Sequence, residues 1–416
     1  MVKFFKKHTK AAFPAFKYRN YQIFFFAQVI SQIGTWMQMV SQGYLTFQLT
    51  HSAFWVGVIA AVSSIPSTAF SLVGGTLVDR FPRKNILIIT QTLQFILASF
   101  LGLIILSGHT NLAILAIFVF LMGLVSAVDQ PARLAVVVDL VDRQDLHAAT
   151  AMNMSIFNSA RVVGPAIAGW LILWVGVGWS FLLNGLSFLA PIIAFNVISF
   201  APFIKKPHLG TWHSIKEGLK YATHHPMIKF LLIYMAVVGI FGWSYTTILP
   251  VVAERVFHQN ASGLGLLFSA AGLGTVVGAV IMSAHSRHFN PHKLIFFGGL
   301  VFSISLLLFA FTQLFPLALV LLFCVGFGMA YQNSTIQATI QREVDDHFRG
   351  RVSSIQALMT RGMHPIGSFQ VGLLAEHFGS SFAIGVGAIV LFLAAIILFF
   401  KTPKLTEKNK LLFPNK

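Results

Sequence analysis

Between residues 22 and 400 the chain is a succession of long apolar runs, and its cations fall almost entirely in every second gap between them. Each run is roughly 20 residues, enough to carry a helix across about 30 Å of hydrocarbon. No water reaches backbone polar groups there, so such runs fold as helices. They are continuous rather than alternating, which excludes a transmembrane barrel. Twelve spans are predicted, over 22–46, 54–77, 86–106, 112–131, 150–174, 179–200, 228–251, 263–284, 293–311, 317–339, 352–375 and 382–400. Cations occupy the arm from Lys3 to Arg19, then Arg80 to Lys84, Arg133 to Arg143 and Lys205 to Lys220. They continue at Arg287 and Lys293, at Arg342 to Arg351, and in the tail from Lys401 to Lys416. The other gaps contain a single cation, Arg255. Excess Lys and Arg on alternate gaps predicts that those gaps and both termini face the cytoplasm.

Charge alone would leave another class open, since a formal +17 also suits a nucleic-acid binder. Nucleic-acid binding gathers cations on one face with aromatics between them; these cations punctuate apolar runs, so no nucleic-acid partner is expected. The first run follows a basic arm but is too long for a signal core and lacks an Ala-x-Ala site, so no cleaved leader is expected. Cys324 is the single cysteine and cannot form an intrachain disulfide. His285, His288 and His292 have metal-like spacings but no carboxylate or thiolate joins them. With no phosphate-binding Gly-x-x-x-x-Gly-Lys-[Ser/Thr] loop and no nucleophile set, the chain reads as a non-enzyme without cofactor or metal.

The longest polar stretch between spans divides them six and six. The predicted organisation is an arm (1–20), a first six-helix bundle (21–200), a linker (201–227), a second bundle (228–400) and a tail (401–416). Shifting the chain on itself by 203 residues pairs Gly123 with Gly326, Asp142 with Asp345, Gly164 with Gly367 and Gly169 with Gly372. Two equal halves suit a machine that rocks about a central site.

The turn between spans 2 and 3 reads Gly75-Thr76-Leu77-Val78-Asp79-Arg80-Phe81-Pro82-Arg83-Lys84. This resembles the loop signature of the major facilitator superfamily, with Pro82 where that family commonly has Gly. In its terms Gly75 lets two backbones approach, and Asp79 is a fixed anion that meets a cation or a helix N-terminus. Arg80, Arg83, Lys84 and the predicted Asp79 partner Arg133 complete a cytoplasmic gate. Span 5 carries Asn158-Ser159-Ala160-Arg161-Val162-Val163-Gly164-Pro165-Ala166-Ile167-Ala168-Gly169, which resembles the Gly-Pro-x-x-x-Gly element of superfamily antiporters. There Pro165 bends the span, and Gly164 and Gly169 permit close packing. Asn-x-x-Arg before it, Asp129-Gln130-Pro131-Ala132-Arg133, Arg349-Gly350-Arg351-Val352 and the Leu249-Pro250-x-x-x-Glu254 end are similar to the branch containing the enterobactin exporter and macrolide-efflux proteins. The resemblance implies an all-α fold of twelve spans in two pseudo-symmetric bundles. It also implies a central cavity lined by spans 1, 4, 7 and 10, and coupling to protons. Span 4 lacks the Arg that many proton-coupled relatives carry there.

Arg161 and Arg361 lie deep in their spans, where a guanidinium costs at least about 2.5 kcal/mol unless wet or paired. The repeat matches Asn158 to Arg361 and Arg161 to His364, a polar pair on one helical face in each half. Span 1 offers a polar stripe through Gln28, Gln32 and Thr35; spans 7 and 10 add Tyr234, Tyr245, Tyr331, Asn333 and Gln337. These are candidate cavity residues, with interhelical hydrogen bonding as the alternative. Asp129, near the inner end of span 4, and Glu254, at the outer end of span 7, are the proton-coupling candidates. The expectation is a monomeric exporter of a small amphipathic molecule, siderophore or drug-like, in a bacterial cytoplasmic membrane. An importer or lipid flippase of the same fold, and a transporter-like sensor without net flux, stay open on the sequence.

Overall fold

Each predicted apolar run is helical in the computed structural model, which describes residues 14–200, 211–285 and 290–412, with the side chains at 72, 211–215 and 402–412 excepted. The start of the expected arm, part of the linker, Arg287 and His288, and the last four residues of the tail lie outside the described residues. The first half contains α1 (Arg19–Thr50), α2 (Ala53–Ala69), α3 (Ser71–Arg80), α4 (Arg83–Leu106), α5 (Leu112–Leu140), α6 (Leu146–Val175), α7 (Val177–Ser187) and α8 (Leu189–Val197). A connecting helix α9 (Thr211–His224) leads to α10 (Pro226–Val237), α11 (Leu249–Arg255), α12 (Ala261–His285), α13 (Pro291–Phe311), α14 (Phe315–Glu343), α15 (Arg349–Arg361), α16 (His364–Phe378) and α17 (Ser380–Leu412).

Ten helical segments are long and apolar enough to cross a membrane, and up to eleven if α2 and α3, bent by 47°, count as one. Pro66, inside α2 just before the bend, removes a backbone hydrogen bond there. The predicted span 352–375 is not among them: it breaks at Gly362–Met363 between α15 and α16 and carries Arg361 and His364. Helix ends follow local chemistry. Asn111 caps α5 by accepting from Ile114 N at 2.9 Å, and Asn290 caps α13 ahead of Pro291.

By contact the chain forms two units. Unit 1 is Met1–Gln42 with Ile65–Pro207; unit 2 is Gly43–Ser64 with His208–Lys416. Unit 2 thus includes the hairpin made by the end of α1 and most of α2. In unit 1 the core gathers Tyr21, Phe24, Leu87, Val136, Ala149 and Phe195. In unit 2 α14 crosses α12 and α13 at small residues. A Cβ built on Gly326 would lie 1.9 Å from Ala271 O, and one on Gly274 1.9 Å from Phe323 O, so these backbones touch.

The 203-residue repeat has a three-dimensional counterpart. Tyr18 Oη donates to Asp142 Oδ2 at 2.7 Å; its counterpart Tyr221 Oη donates to Asp345 Oδ2 at 3.1 Å. Tyr18 also donates to Asp145, and Tyr221 stacks at 4.3 Å on Phe348, the residue equivalent to Asp145. Gly176 and Gly379, again equivalent, end α6 and α16 with φ of 93° and 86°, a conformation open to glycine. Hydrogen bonds from Lys17 and then Tyr18 hold the Asp145 carboxyl below the usual carboxylate range, and the same Asp145 bond raises Lys17. A lowered carboxylate contributes stability above its ordinary value, about 4, and loses it as pH falls through the lowered value. A raised lysine contributes below its ordinary value, about 10.4, and loses that only as pH rises through the raised one. The bracket is therefore expected at full strength through neutral pH. Tyr221→Phe, which removes a bond to a carboxylate, should lower stability by about 1–2 kcal/mol; an unchanged melting curve would count against the bracket.

Candidate functional site

In unit 1 the site begins at the middle of α6. Arg161 is the sixteenth of the thirty residues from Leu146 to Val175, and it is 5% exposed. Its guanidinium lies 5.7 Å from the Trp36 ring of α1. The approach that allows this is made at Gly164, where a Cβ would fall 2.7 Å from Trp36 Cβ and 2.8 Å from Ile33 O. Pro165 and Gly169 are buried beside it, and α6 runs on through Pro165. Asn158 is half-buried one turn earlier, and Ser155 and Ser159 leave a polar strip of α6 exposed.

The span 1 stripe divides. Thr35 is exposed and Gln32 half-buried. Gln28 is buried and accepts from Arg133 Nη1 at 3.3 Å. Gln38, a neighbour of the stripe, accepts from Asn184 Nδ2 at 2.6 Å and donates to Met122 Sδ at 3.4 Å. For Gln28 and Gln38 the interhelical alternative describes the geometry, because they point into unit 1.

One expectation for the loop signature changes. The close approach falls at Gly74, whose Cβ would be 2.0 Å from Ala127 O, while Gly75 has nothing within 4 Å. One residue turns the helix by about 100°, enough to point Gly75 away from α5. Asp79 is exposed and does not pair with Arg133 in this structure. Arg133 instead binds Asp129, one helical turn back on α5, with Nε 2.7 Å from Oδ2. The ion pair the signature does make is Arg83 Nη1 to Asp139 Oδ1 at 2.7 Å, with a second bond to Ala135 O at 3.0 Å. Lys84 Nζ donates to Asn196 O at 3.3 Å, and Arg80 is exposed.

Asp129 also moves. The predicted span ended at 131, but α5 continues to Leu140, so Asp129 lies eleven residues before that end, or about 16 Å at the helical rise. It is 3% exposed, and Oδ1 accepts from Thr90 Oγ1 at 2.8 Å and from Gln91 Nε2 at 2.7 Å.

In unit 2 the irregular backbone lies between α10 and α11, where Val238–Gly242 is a π-helical turn and Ser244–Thr246 a 3₁₀ turn. It packs on the break between α15 and α16: a Cβ on Gly367 would lie 2.1 Å from Ile240 O, and one on Gly239 2.7 Å from Thr360 O. Pro365 has no N–H to continue a helix through the break. Arg361 is exposed at the end of α15. His364 Nδ1 is 3.4 Å from Ser368 Oγ, which is 2.9 Å from Thr247 Oγ1. Gln337 is exposed and Asn333 half-buried, its Oδ1 buried without a partner among the described residues. Tyr234, Tyr245 and Tyr331, expected on a cavity wall, are instead core residues no more than 4% exposed. Their rings fill the helix packing of unit 2; Tyr234 Oη donates to Gln332 Oε1 at 2.8 Å.

Sequence reasoning missed how the hairpin is tied within unit 2. Glu376 Oε2 accepts from Ala53 N at 2.7 Å and Phe54 N at 3.3 Å, capping α2. Gln48 Nε2 donates to Glu254 Oε2 at 2.8 Å, and Arg255 donates to His51 O with its guanidinium 5.2 Å from the Phe47 ring. The isolated Arg255 among uncharged gaps was the signal available. Among the described residues no group of three or more His, Cys, Asp or Glu could hold a metal ion.

Helices of spanning length, broken ones among them, with polar and cationic groups at mid-helix, define a multi-pass membrane transporter for a small molecule. The profile described as Transmembrane secretion effector matches residues 10–414. The chain belongs to that family of the major facilitator superfamily. It is 23% identical over 386 residues to the Staphyloferrin A transporter of Staphylococcus aureus, covering 92% of this chain and 97% of that one. It is 23% identical to the Multidrug efflux pump Tap of Mycolicibacterium fortuitum, covering 92% and 95%. The Enterobactin exporter EntS of Shigella flexneri is 23% identical over 88% of each chain. Among solved structures, a bacterial homologue of the human lysosomal transporter Spinster superposes with a TM-score of 0.77 at 14% identity, covering 94% and 97%. A POT family transporter gives 0.75 at 14% identity over 94% and 97%. These solved structures speak to the fold alone.

Proposed function

We propose that this transporter exports a small amphipathic molecule across the bacterial cytoplasmic membrane by alternating access, driven by protons. The observation that carries this reading is the pair of guanidinium groups inside predicted spans, Arg161 buried at the middle of α6 beside Trp36 and Arg361 exposed at the break between α15 and α16. An exposed cation within a span is stable where water reaches it, which suits a chamber for cargo with polar or anionic groups. The names of the relatives, a siderophore transporter, a siderophore exporter and a drug efflux pump, support siderophore or drug-like cargo. The reading takes twelve spans, with the basic gaps and both termini in the cytoplasm, and a monomer as the working unit. Two six-helix bundles, 21–200 and 228–400, would rock about Gln32, Thr35, Asn158, Arg161, Gln337, Arg361 and His364. Asp79, exposed here, would close the basic end when the chamber opens outward. Asp129 and Glu254 are the candidate proton carriers.

Metabolite profiling of medium and cells from a strain lacking the chain tests direction and cargo together. A compound depleted from the medium, retained in cells and restored by complementation is the expected result. The same compound left behind in the medium would make the protein an importer, and no change in any compound would favour a sensor without flux.

A further inference from the structure

The two units solve the same packing problem with different chemistry at one place. The 203-residue shift maps Asp129 onto Gln332, Arg133 onto Ile336, Gln28 onto Leu231 and Ser31 onto Tyr234. In unit 2 these positions form an uncharged core: Leu231, Gln332 and Ile336 are 0% exposed, and Gln332 is held by Tyr234 at 2.8 Å. In unit 1 the same positions hold an ion pair, Asp129 buried and Arg133 half-buried, 2.7 Å apart. A buried ion pair can often be replaced without loss of stability, and unit 2 packs the same positions with the uncharged pair Gln332 and Ile336. Packing at these positions therefore does not require charge.

Their surroundings hold a carboxylate as they stand and offer partners to a carboxylic acid after one side-chain rotation. With Asp129 ionised, Oδ1 accepts from Thr90 and Gln91, and Oδ2 meets Arg133. Two buried polar atoms on the side chains that hold the pair have no partner among the described residues: Gln91 Oε1 and Gln28 Nε2. A primary amide offers a donor on one side and an acceptor on the other. Rotating the Gln91 amide would present Oε1 to a newly formed Asp129 O–H. Arg133, released, already has Gln28 Oε1 within 3.3 Å. Other charged groups on the elements packed here are Arg19 on α1, Asp79 and Arg80 on α3, Arg83 and Lys84 on α4, and Asp139 on α5. On α6 are His147 and Arg161, the latter with its guanidinium 5.7 Å from the Trp36 ring. Arg133 is the charged group in contact with Asp129.

From this we infer that Asp129 takes up and releases the coupled proton, its ion pair with Arg133 opening as it does so. The inference rests on the proton-driven reading above and deepens it by choosing between the two candidate carriers. Glu254 bonds to Gln48 within unit 2 and has no other hydrogen-bond partner among the described residues.

The test is an infrared pH titration of the purified full-length chain in lipid nanodiscs without cargo, so it does not depend on direction or substrate. Exposed carboxylates stay ionised across the physiological range, so a protonated-carboxyl carbonyl band arising there marks a perturbed acid. The expected result is one such band in the wild type, retained in Glu254→Gln and lost in Asp129→Gln/Arg133→Ile. That double variant imports the residues unit 2 already folds with, so it should elute and melt like the wild type. The single change Asp129→Asn strands Arg133 and is the poorer test. No band in the wild type, or a band that survives in the double variant, would overturn the assignment. So would failure of the double variant to fold, since the charges would then be structural. A band that behaves as expected in a chain that exports nothing would retain the proton site while sinking the export reading.

Discussion

Gly326→Leu is expected to abolish accumulation of folded protein. The first side-chain carbon alone would fall 1.9 Å from Ala271 O and 3.0 Å from Thr275 N. Overpacking a core costs about 1–3 kcal/mol where side chains can yield. Here the obstacle is the backbone of α12, which is already committed to its own helical hydrogen bonds, so α12 and α14 must separate along their crossing. Gly274, facing Phe323 O from the other helix, would lose its seat at the same time. Stability of a folded unit is about 5–15 kcal/mol, and a parted helix pair at its centre exceeds what can be absorbed. Size-exclusion profiles of a fluorescently tagged chain read the outcome. Gly75→Ala is the control, because nothing lies within 4 Å of its added carbon. A normal profile for Gly326→Leu would mean that α12 and α14 do not cross there.

Arg161→Ala and Arg361→Ala should fail in different ways. Arg161 is buried on Trp36, and a desolvated cation–π contact is worth about 2 kcal/mol; its loss is expected to lower the melting temperature as well as transport. Lysine should rescue it poorly, because an ammonium is more strongly hydrated than a guanidinium and is costlier to bury beside an indole. Arg361 is exposed, so Arg361→Ala should melt normally. If it meets an anionic group of the cargo, a charged hydrogen bond of about 1.5–3 kcal/mol is lost, about ten- to a hundredfold in affinity. Export at a wild-type rate by Arg361→Ala would remove that residue from the transport path.

Much of the architecture was legible because the bilayer simplifies the code. A run of apolar residues has one way to satisfy its backbone, and each predicted run is largely helical, although 179–200 stops at Val197, 112–131 runs on to Leu140, and 228–251 and 352–375 are interrupted. What the hydropathy pattern could not fix were the interruptions. The break at Gly362–Met363 and the π-helical turn at Val238–Gly242 arise from two distorted segments packing on each other, a tertiary cause invisible to a sliding window. Side-chain direction was the harder part of the site. Tyr234, Tyr245 and Tyr331 read as wall residues because they are polar in an apolar run, yet a buried phenol is content with one partner, as Tyr234 is with Gln332. Arg133 was read as the partner of Asp79 in an outward-open state; here it pairs with Asp129, four residues away on the same helix face. The Tyr18 and Tyr221 brackets could have been found, since both tyrosines and both aspartates obey the 203-residue shift.

Each bracket closes with residues from its own half: Tyr18 with Asp142, and Tyr221 with Asp345. The entry segment of each half is thereby moored to a loop 124 residues further along the same half. A pull on either segment is borne locally, by one phenol and one carboxylate, before it reaches the packed helices.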